Sequence, residues 1–134
     1  LSIKTSASIT TSSTSFAATG LYLNITPVST SSKIYATLNG GGVYNATGAQ
    51  TTQFITIYRG STNLGNSTYG LCRFSTPGGN WSLVPVSCAV LDSPSSTSAL
   101  KYEAYFKNAD TSATVNFSES DRGEVTLTLM EIAG

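Results

Sequence analysis

Any chemistry in this chain would have to run on seven carboxylates, seven cations and two cysteines, because its 134 residues include no histidine. The usual general base and the commonest metal ligand are therefore missing, and Ser-His-Asp or Cys-His activation of a nucleophile is excluded. The composition leaves open a paired-carboxylate glycosidase, drawn from Asp92, Glu103, Asp110, Glu119, Asp121, Glu124 and Glu131. Such enzymes need a long groove, and a chain of this length made of short strands has little to build one with. Glu119, Asp121 and Glu124, with Asp110 upstream, offer oxygens for Ca²⁺ but lack the regular spacing of a calcium loop, and Arg122 sits among them. They read as a solvated turn. Asp92, in Leu-Asp-Ser-Pro, reads as a turn residue accepting backbone N–H groups ahead of Pro94. We expect no catalytic residues, no metal and no cofactor.

Binding chemistry is better represented. The segments Gly40 to Ala49, Gly60 to Gly70 and Ser75 to Ser82 combine Gly, Ser, Thr and Asn with isolated aromatics. Such rings give large contact area at low entropic cost, while the small polar neighbours adapt their hydrogen bonds. Sugars suit this mixture, with C–H faces against rings and hydroxyls on Asn and Ser. The candidate receptor-binding residues are Tyr44, Asn45, Asn66, Tyr69, Asn80 and Trp81. A structural reading competes, in which Trp81 plugs one end of the domain and the tyrosines cover strand edges. Cys72 and Cys88 flank a Pro-Gly-Gly turn and could face one another across a hairpin, as a disulfide or as two buried thiols. Five of the eight asparagines, at 24, 45, 66, 80 and 116, open Asn-X-Ser/Thr sequons, which a chain nearly a third Ser and Thr generates readily by chance.

These residues must be positioned by strands. Ile34, Ala36 and Leu38 alternate with Lys33, Tyr35, Thr37 and Asn39, and Leu100, Tyr102, Ala104 and Phe106 alternate with Lys101, Glu103, Tyr105 and Lys107. Comparable strands fit Leu21 to Thr26, Gln53 to Arg59, Tyr69 to Phe74, Leu83 to Val90, Ala113 to Phe117 and Glu124 to Ile132, separated by Gly, Pro, Asn, Asp and Ser. No segment has three turns of helical periodicity with a cap, so at most one short helical turn is expected. Eight or nine antiparallel strands predict an all-β, two-sheet sandwich of the jelly-roll kind. Immunoglobulin topology is the rival, but its Cys...Trp...Cys order and long spacing are absent. Two strands carry apolar residues on both faces: Phe54, Ile55, Ile57 and Tyr58 in one, Val125, Leu127 and Leu129 with Met130 and Ile132 in the other. Both faces then need cover. Phe54, Ile55, Ile57, Tyr58, Met130 and Ile132 are accordingly candidates for a subunit interface, unless a bulge near Glu131 swaps the faces.

The chain fits one domain, with 40% hydrophobic residues to build a core. Its zero net charge removes the electrostatic term behind nucleic-acid and anionic-membrane binding, and no apolar run is long enough to span a bilayer. Neither partner is expected. Little self-repulsion also favours a closed oligomer. Residue 1 is Leu rather than Met, which suggests a C-terminal module of a longer protein.

Four strings carry a resemblance: STSSKIYATLNGG (Ser29 to Gly41), FITIYRGSTNLG (Phe54 to Gly65), VSCAVLDSPSSTSALKYEAYFK (Val86 to Lys107) and VTLTLMEI (Val125 to Ile132). In this order they resemble a C-terminal domain of tail-fibre and related virion proteins of bacteriophages, marine and cyanobacterial phages among them. The resemblance implies a β-sandwich tip that assembles as a homotrimer on a virion fibre and contacts a host-cell surface glycan or protein. It is broadly similar to the trimeric heads of tumour-necrosis-factor-like proteins. On this reading residues 1–15 lead to a shaft. The extra length at Thr68 to Ser82 departs from the family pattern. Two alternatives stand beside it: a structural capsid or tail decoration that caps a fibre, and a secreted lectin-like carbohydrate-binding module.

Overall fold

The computed structural model describes residues 1–45, 50–76, 83–118, 121 and 123–134. Eight strands have four residues or more: β1 (Ser2–Thr5), β3 (Ala17–Ile25), β4 (Lys33–Asn45), β5 (Thr51–Arg59), β7 (Cys72–Thr76), β8 (Leu83–Asp92), β9 (Leu100–Asn108) and β11 (Val125–Ile132). Three are two-residue pairings, β2 (Thr10–Thr11), β6 (Thr62–Asn63) and β10 (Val115–Asn116). No helix occurs among the described residues. The strands form two antiparallel sheets, the jelly-roll-like sandwich that the alternation predicts.

In the first sheet β11 and then β10 follow one edge of β4, while β8 follows the other; β1 extends the sheet beyond β11, and β2 beyond β10. The second sheet runs β3, β9, β5, with β6 and β7 sharing the far edge of β5. Ile34, Ala36 and Leu38 of β4 and Val125, Leu127 and Leu129 of β11 are fully buried. Opposite them lie Ile55 and Ile57 of β5 and Tyr102, Ala104 and Phe106 of β9, in the same core. Period-two alternation is thus the direct cause of the layer: one face of each sheet is apolar and has another such face to cover it. The Ser/Thr-rich start of the chain is held against the first sheet, with Ser2 to Thr5 paired to Thr128 to Val125.

Several expectations resolve differently. β11 pairs with β4 in unbroken register from Val125 to Ile132, so no bulge swaps its faces near Glu131. Ile55 and Ile57 serve the core of the chain itself. Cys72 and Cys88 meet, but not across a hairpin: β7 belongs to the second sheet and β8 to the first, so the two thiols face one another between the sheets.

Asp92 also departs from its expected role as a turn residue. It ends β8 buried, and both its carboxylate oxygens accept from Arg59 Nη1 on β5 at 2.7 Å. One oxygen also accepts the Tyr102 hydroxyl of β9 at 2.6 Å. One carboxylate of the first sheet is therefore clasped by two strands of the second. Burial, and then the bond to Asp92, pushes the Tyr102 phenol well above its ordinary value.

Breaking a buried charge pair leaves the surviving charge uncompensated. Asp92→Ala is expected to lower the unfolding free energy by about 3 kcal/mol in urea titrations, and Tyr102→Phe by about 1 kcal/mol. The phenol also sets an alkaline limb. Above pH 10.0, the ordinary value, an unfolded tyrosine loses its proton while Tyr102 keeps its own. The folded state then binds more protons than the unfolded one, so stability falls as pH rises. Tyr102→Phe should remove that part of the slope.

Candidate binding face

The outward face of the second sheet is built from the residues that alternate with its core. Tyr22 of β3, Glu103 of β9 and Tyr58 of β5 share one cross-strand row; Ala18, Tyr105 and Thr56 share the next; Lys107, Phe54 and Arg73 share the third. Rings and cations connect these rows. The Tyr58 and Tyr105 rings stack with centroids 4.1 Å apart, and Phe16 meets Tyr58 edge-on at 6.2 Å. Lys107 Nζ lies 4.8 Å from the Phe16 centroid and 5.1 Å from that of Phe54. Phe54 in turn contacts Tyr69 at 5.9 Å, and Arg73 covers Tyr69. At the other end Lys101 Nζ sits 4.5 Å over Tyr22.

Local irregularities hold this band in place. Between Ala18 and Tyr22 the β3–β9 register shifts, with Gly20 at φ +78°, a conformation that disfavours side chains. The bulge aims the Gly20 N–H at Glu103, whose second oxygen accepts from Lys101 at 2.6 Å. That bond holds the Lys101 ammonium above its ordinary value. Along the far edge of β5, Leu64 and Leu71 donate their N–H groups to Ile57 and Ile55. Between them Asn66 Oδ1 accepts from the N–H groups of Thr68 and Tyr69, both at 2.9 Å. Gly70, at φ +68°, closes the turn where a Cβ would meet the Ile55 carbonyl oxygen at 2.5 Å.

Of the residues expected to bind, Asn66 and Tyr69 thus lie together on this turn. Asn66 shapes the turn and Tyr69, 52% exposed, is what it displays. Tyr44 and Asn45 are instead the last residues of β4, 8% and 0% exposed, because β4 continues through a register shift after Gly40 and keeps pairing. Asn80 and Trp81 lie outside the described residues. Tyr22, Tyr58, Phe16, Tyr105 and Lys107 carry no loop signature of a binding residue in the sequence, although the outward positions of the Leu100 to Lys107 alternation mark the last two. Among the candidate interface residues, Phe54 and Tyr58 belong to this band. Met130 and Ile132 point outward from the first sheet and are about half exposed, beside Tyr35 and Leu91 in the row Met130, Tyr35, Leu91.

Other groupings are committed elsewhere. A cavity of about 340 Å³ is lined by Val28, Ser29, Ser32, Glu131, Ala133 and Gly134. Its carboxylate, Glu131, is held below its usual range by the Ser32 hydroxyl and then the Val28 N–H. Cys72 and Cys88 share a hydrogen bond, which lowers Cys72 and, with burial, raises Cys88. Glu124 pairs with Lys4 at 2.6 Å, and Asp110 accepts from the Ser112 hydroxyl and N–H, which lower it. No group of three His, Cys, Asp or Glu that could hold a metal occurs among the described residues. Glu119 and Arg122 lie outside them. Asn45 and Asn116 are buried, so neither sequon is presented for glycosylation in the folded chain.

No family model and no curated protein matches the chain. Among solved structures it is similar to the VP2 protein of infectious bursal disease virus. A mutant VP2 in derived T=1 particles shares 11% identity over 100% of this chain and 29% of that one, at a TM-score of 0.43. The T13 viral particle of the same virus gives 11% identity, 99% and 35% coverage and a TM-score of 0.45. The VP2 subviral particle gives 10%, 99%, 37% and 0.42. The chain spans about a third of the length of these proteins, and at such distance the likeness carries no argument about what it does.

Asn66 makes a specific prediction. Asn66→Ala removes the one side-chain oxygen that accepts two hydrogen bonds in an exposed turn, each bond worth about 1 kcal/mol. Amide exchange at Thr68 and Tyr69 should accelerate about tenfold or more, while amides of the β4 and β11 ladder keep their protection.

Proposed function

We propose that the chain is a non-catalytic virion-surface domain, the trimeric tip of a phage fibre, that binds a host-cell glycan on the outward face of its second sheet. The observation that carries the glycan reading is the stacked Tyr58 and Tyr105 pair at the centre of a band of rings and cations. Stacked rings are ordered before a ligand arrives, so little side-chain entropy remains to be lost on binding. Sugar C–H faces fit flat rings, and the exposed Lys101 ammonium beside them can donate to hydroxyls. The band spans five residues of β9, from Glu103 to Lys107, four steps of about 13 Å in all at the rise of a strand. That length suits a short oligosaccharide better than a single sugar.

Trimerisation rests on the resemblance of the four strings to fibre-tip domains and on the outward apolar row Met130, Tyr35 and Leu91, with Ile132 beside it. Self-association would give these side chains cover. That same row favours a second reading, in which the trimer merely caps a fibre and binds nothing.

Two measurements separate the readings. Light scattering coupled to size exclusion should give about three times 13.9 kDa, and Met130→Asp should reduce it toward one. Binding of the domain to host cells or to a glycan array should then fall about tenfold or more in Tyr105→Ala, the scale of a central aromatic contact. A trimer that binds no glycan or cell would leave the capping role; a wild-type monomer would remove the trimer.

A further inference from the structure

The third row of the outward face has a charge pattern that the other two lack. Phe54 of β5 is paired with Lys107 of β9 on one side and Arg73 of β7 on the other, so two cations flank one ring on the same face. Their Cα atoms are two strand spacings apart, about 10 Å. Lys107 is held over Phe16 and Phe54, and Arg73 over Tyr69. Rings thus orient both cations. Among the described residues the ion pairs use other cations: Lys4 with Glu124, Arg59 with Asp92, Lys101 with Glu103. Neither Lys107 nor Arg73 has a carboxylate partner among the described residues, in a chain whose acids and bases balance overall.

Resting on the glycan reading above, we propose that this row is an anion subsite, and that the ligand is an acidic oligosaccharide with repeated carboxylate or sulfate groups. One sugar of such a ligand lies against the exposed Tyr69 ring, which covers Phe54, and places anionic groups toward Lys107 and Arg73. Arg73 is suited to bidentate pairing with a carboxylate or sulfate, and Lys107 to a point contact. The opposite end of the band has the reverse character. Lys101 is already neutralised by Glu103, so that end takes neutral hydroxyls. The face therefore has polarity, an acidic sugar at Phe54 and a neutral one near Tyr22. A uniformly neutral glycan would leave both cations without counter-charge, and a nucleic acid would need a wider basic surface than two residues supply.

The test is calorimetric titration of the full 134-residue chain with three oligosaccharides of equal length: a neutral hexose oligomer, a uronic-acid oligomer and a sulfated hexose oligomer, each at 50 mM and 500 mM salt. At low salt at least one acidic oligomer should bind about tenfold more tightly than the neutral one, and high salt should erase most of that advantage. The arm that binds better distinguishes carboxylate from sulfate. Lys107→Gln and Arg73→Gln should each weaken the acidic ligand about fivefold and leave the neutral one unchanged. Lys33→Gln, an exposed cation on the other sheet, should alter neither. Thermal midpoints confirm that each variant folds, and Arg73→Lys distinguishes bidentate pairing, lost, from bare charge, kept. Equal binding of all three oligomers, or indifference to Lys107→Gln and Arg73→Gln, would overturn the anion subsite while leaving the glycan reading intact. No binding by any oligomer would overturn both.

Discussion

A single buried carboxylate fixes how the two sheets face each other. Asp92 ends a strand of the first sheet, yet its partners, Arg59 and Tyr102, come from adjacent strands of the second and are themselves directly paired. A carboxylate taken out of water needs charge and hydrogen bonds close by, and here only one registration of β5 against β9 supplies both. The consequence reaches the opposite side of the sheet. With Arg59 and Tyr102 pointing inward, period two requires that Tyr58, Lys101 and Glu103 point outward, and a slip by one residue would bury the charges and expose the core. The ring and cation band is in this sense the reverse side of the Asp92 clasp.

The two outward faces are treated unequally by the chain. Over the second sheet, Phe16 and the turn from Asn66 to Gly70 supply partners for the rings, so that Phe54 is nearly buried without any second subunit. Over the first sheet, Met130, Leu91 and Ile132 remain about half exposed. Isolated exposed apolar residues need no explanation, but three strands contributing to one row make a contiguous strip. The domain thus presents one face whose apolar groups are locally organised and one whose apolar groups are left without cover.

Legibility in the sequence followed the range of each interaction. The segment Leu100 to Lys107 declares both its faces, because alternation is a local signal and nothing interrupts it. Tyr44 and Asn45 were obscured by Gly40, Gly41 and Gly42, which look like a loop but form a register shift inside a continuing strand. Asp92 stands two residues before Pro94, the local signature of a turn, whereas its true partners are 33 and 10 residues away. The apolar character of both faces of β5 was visible, but not what covers them. The cover is a turn whose geometry depends on Asn66 and Gly70, and turn chemistry announces a bend without saying which face it lies on. The pairing of Ser2 to Thr5 with β11 joins the two ends of the chain, a contact that Ser/Thr composition cannot announce.

Zero net charge shapes what the outward cations can do. A domain without excess charge has no long-range field to steer a polyanion, and at physiological salt a lone pair of cations is screened beyond about 8 Å. Any attraction that Lys107 and Arg73 exert on an anion is therefore confined to contact distance. On the proposed reading they discriminate among ligands already lying on the rings rather than gather them from solution. On that reading a ligand lying on an open row of stacked rings keeps one side in water, which would make for modest affinity at a single site. In the proposed trimer three such faces would compensate, since the second and third contacts would form at the effective concentration set by the assembly and not by the bulk. On that proposal weak individual sites and a rigid array are complementary requirements: the first would keep each contact reversible, and the second would make attachment depend on a surface dense in the right sugar.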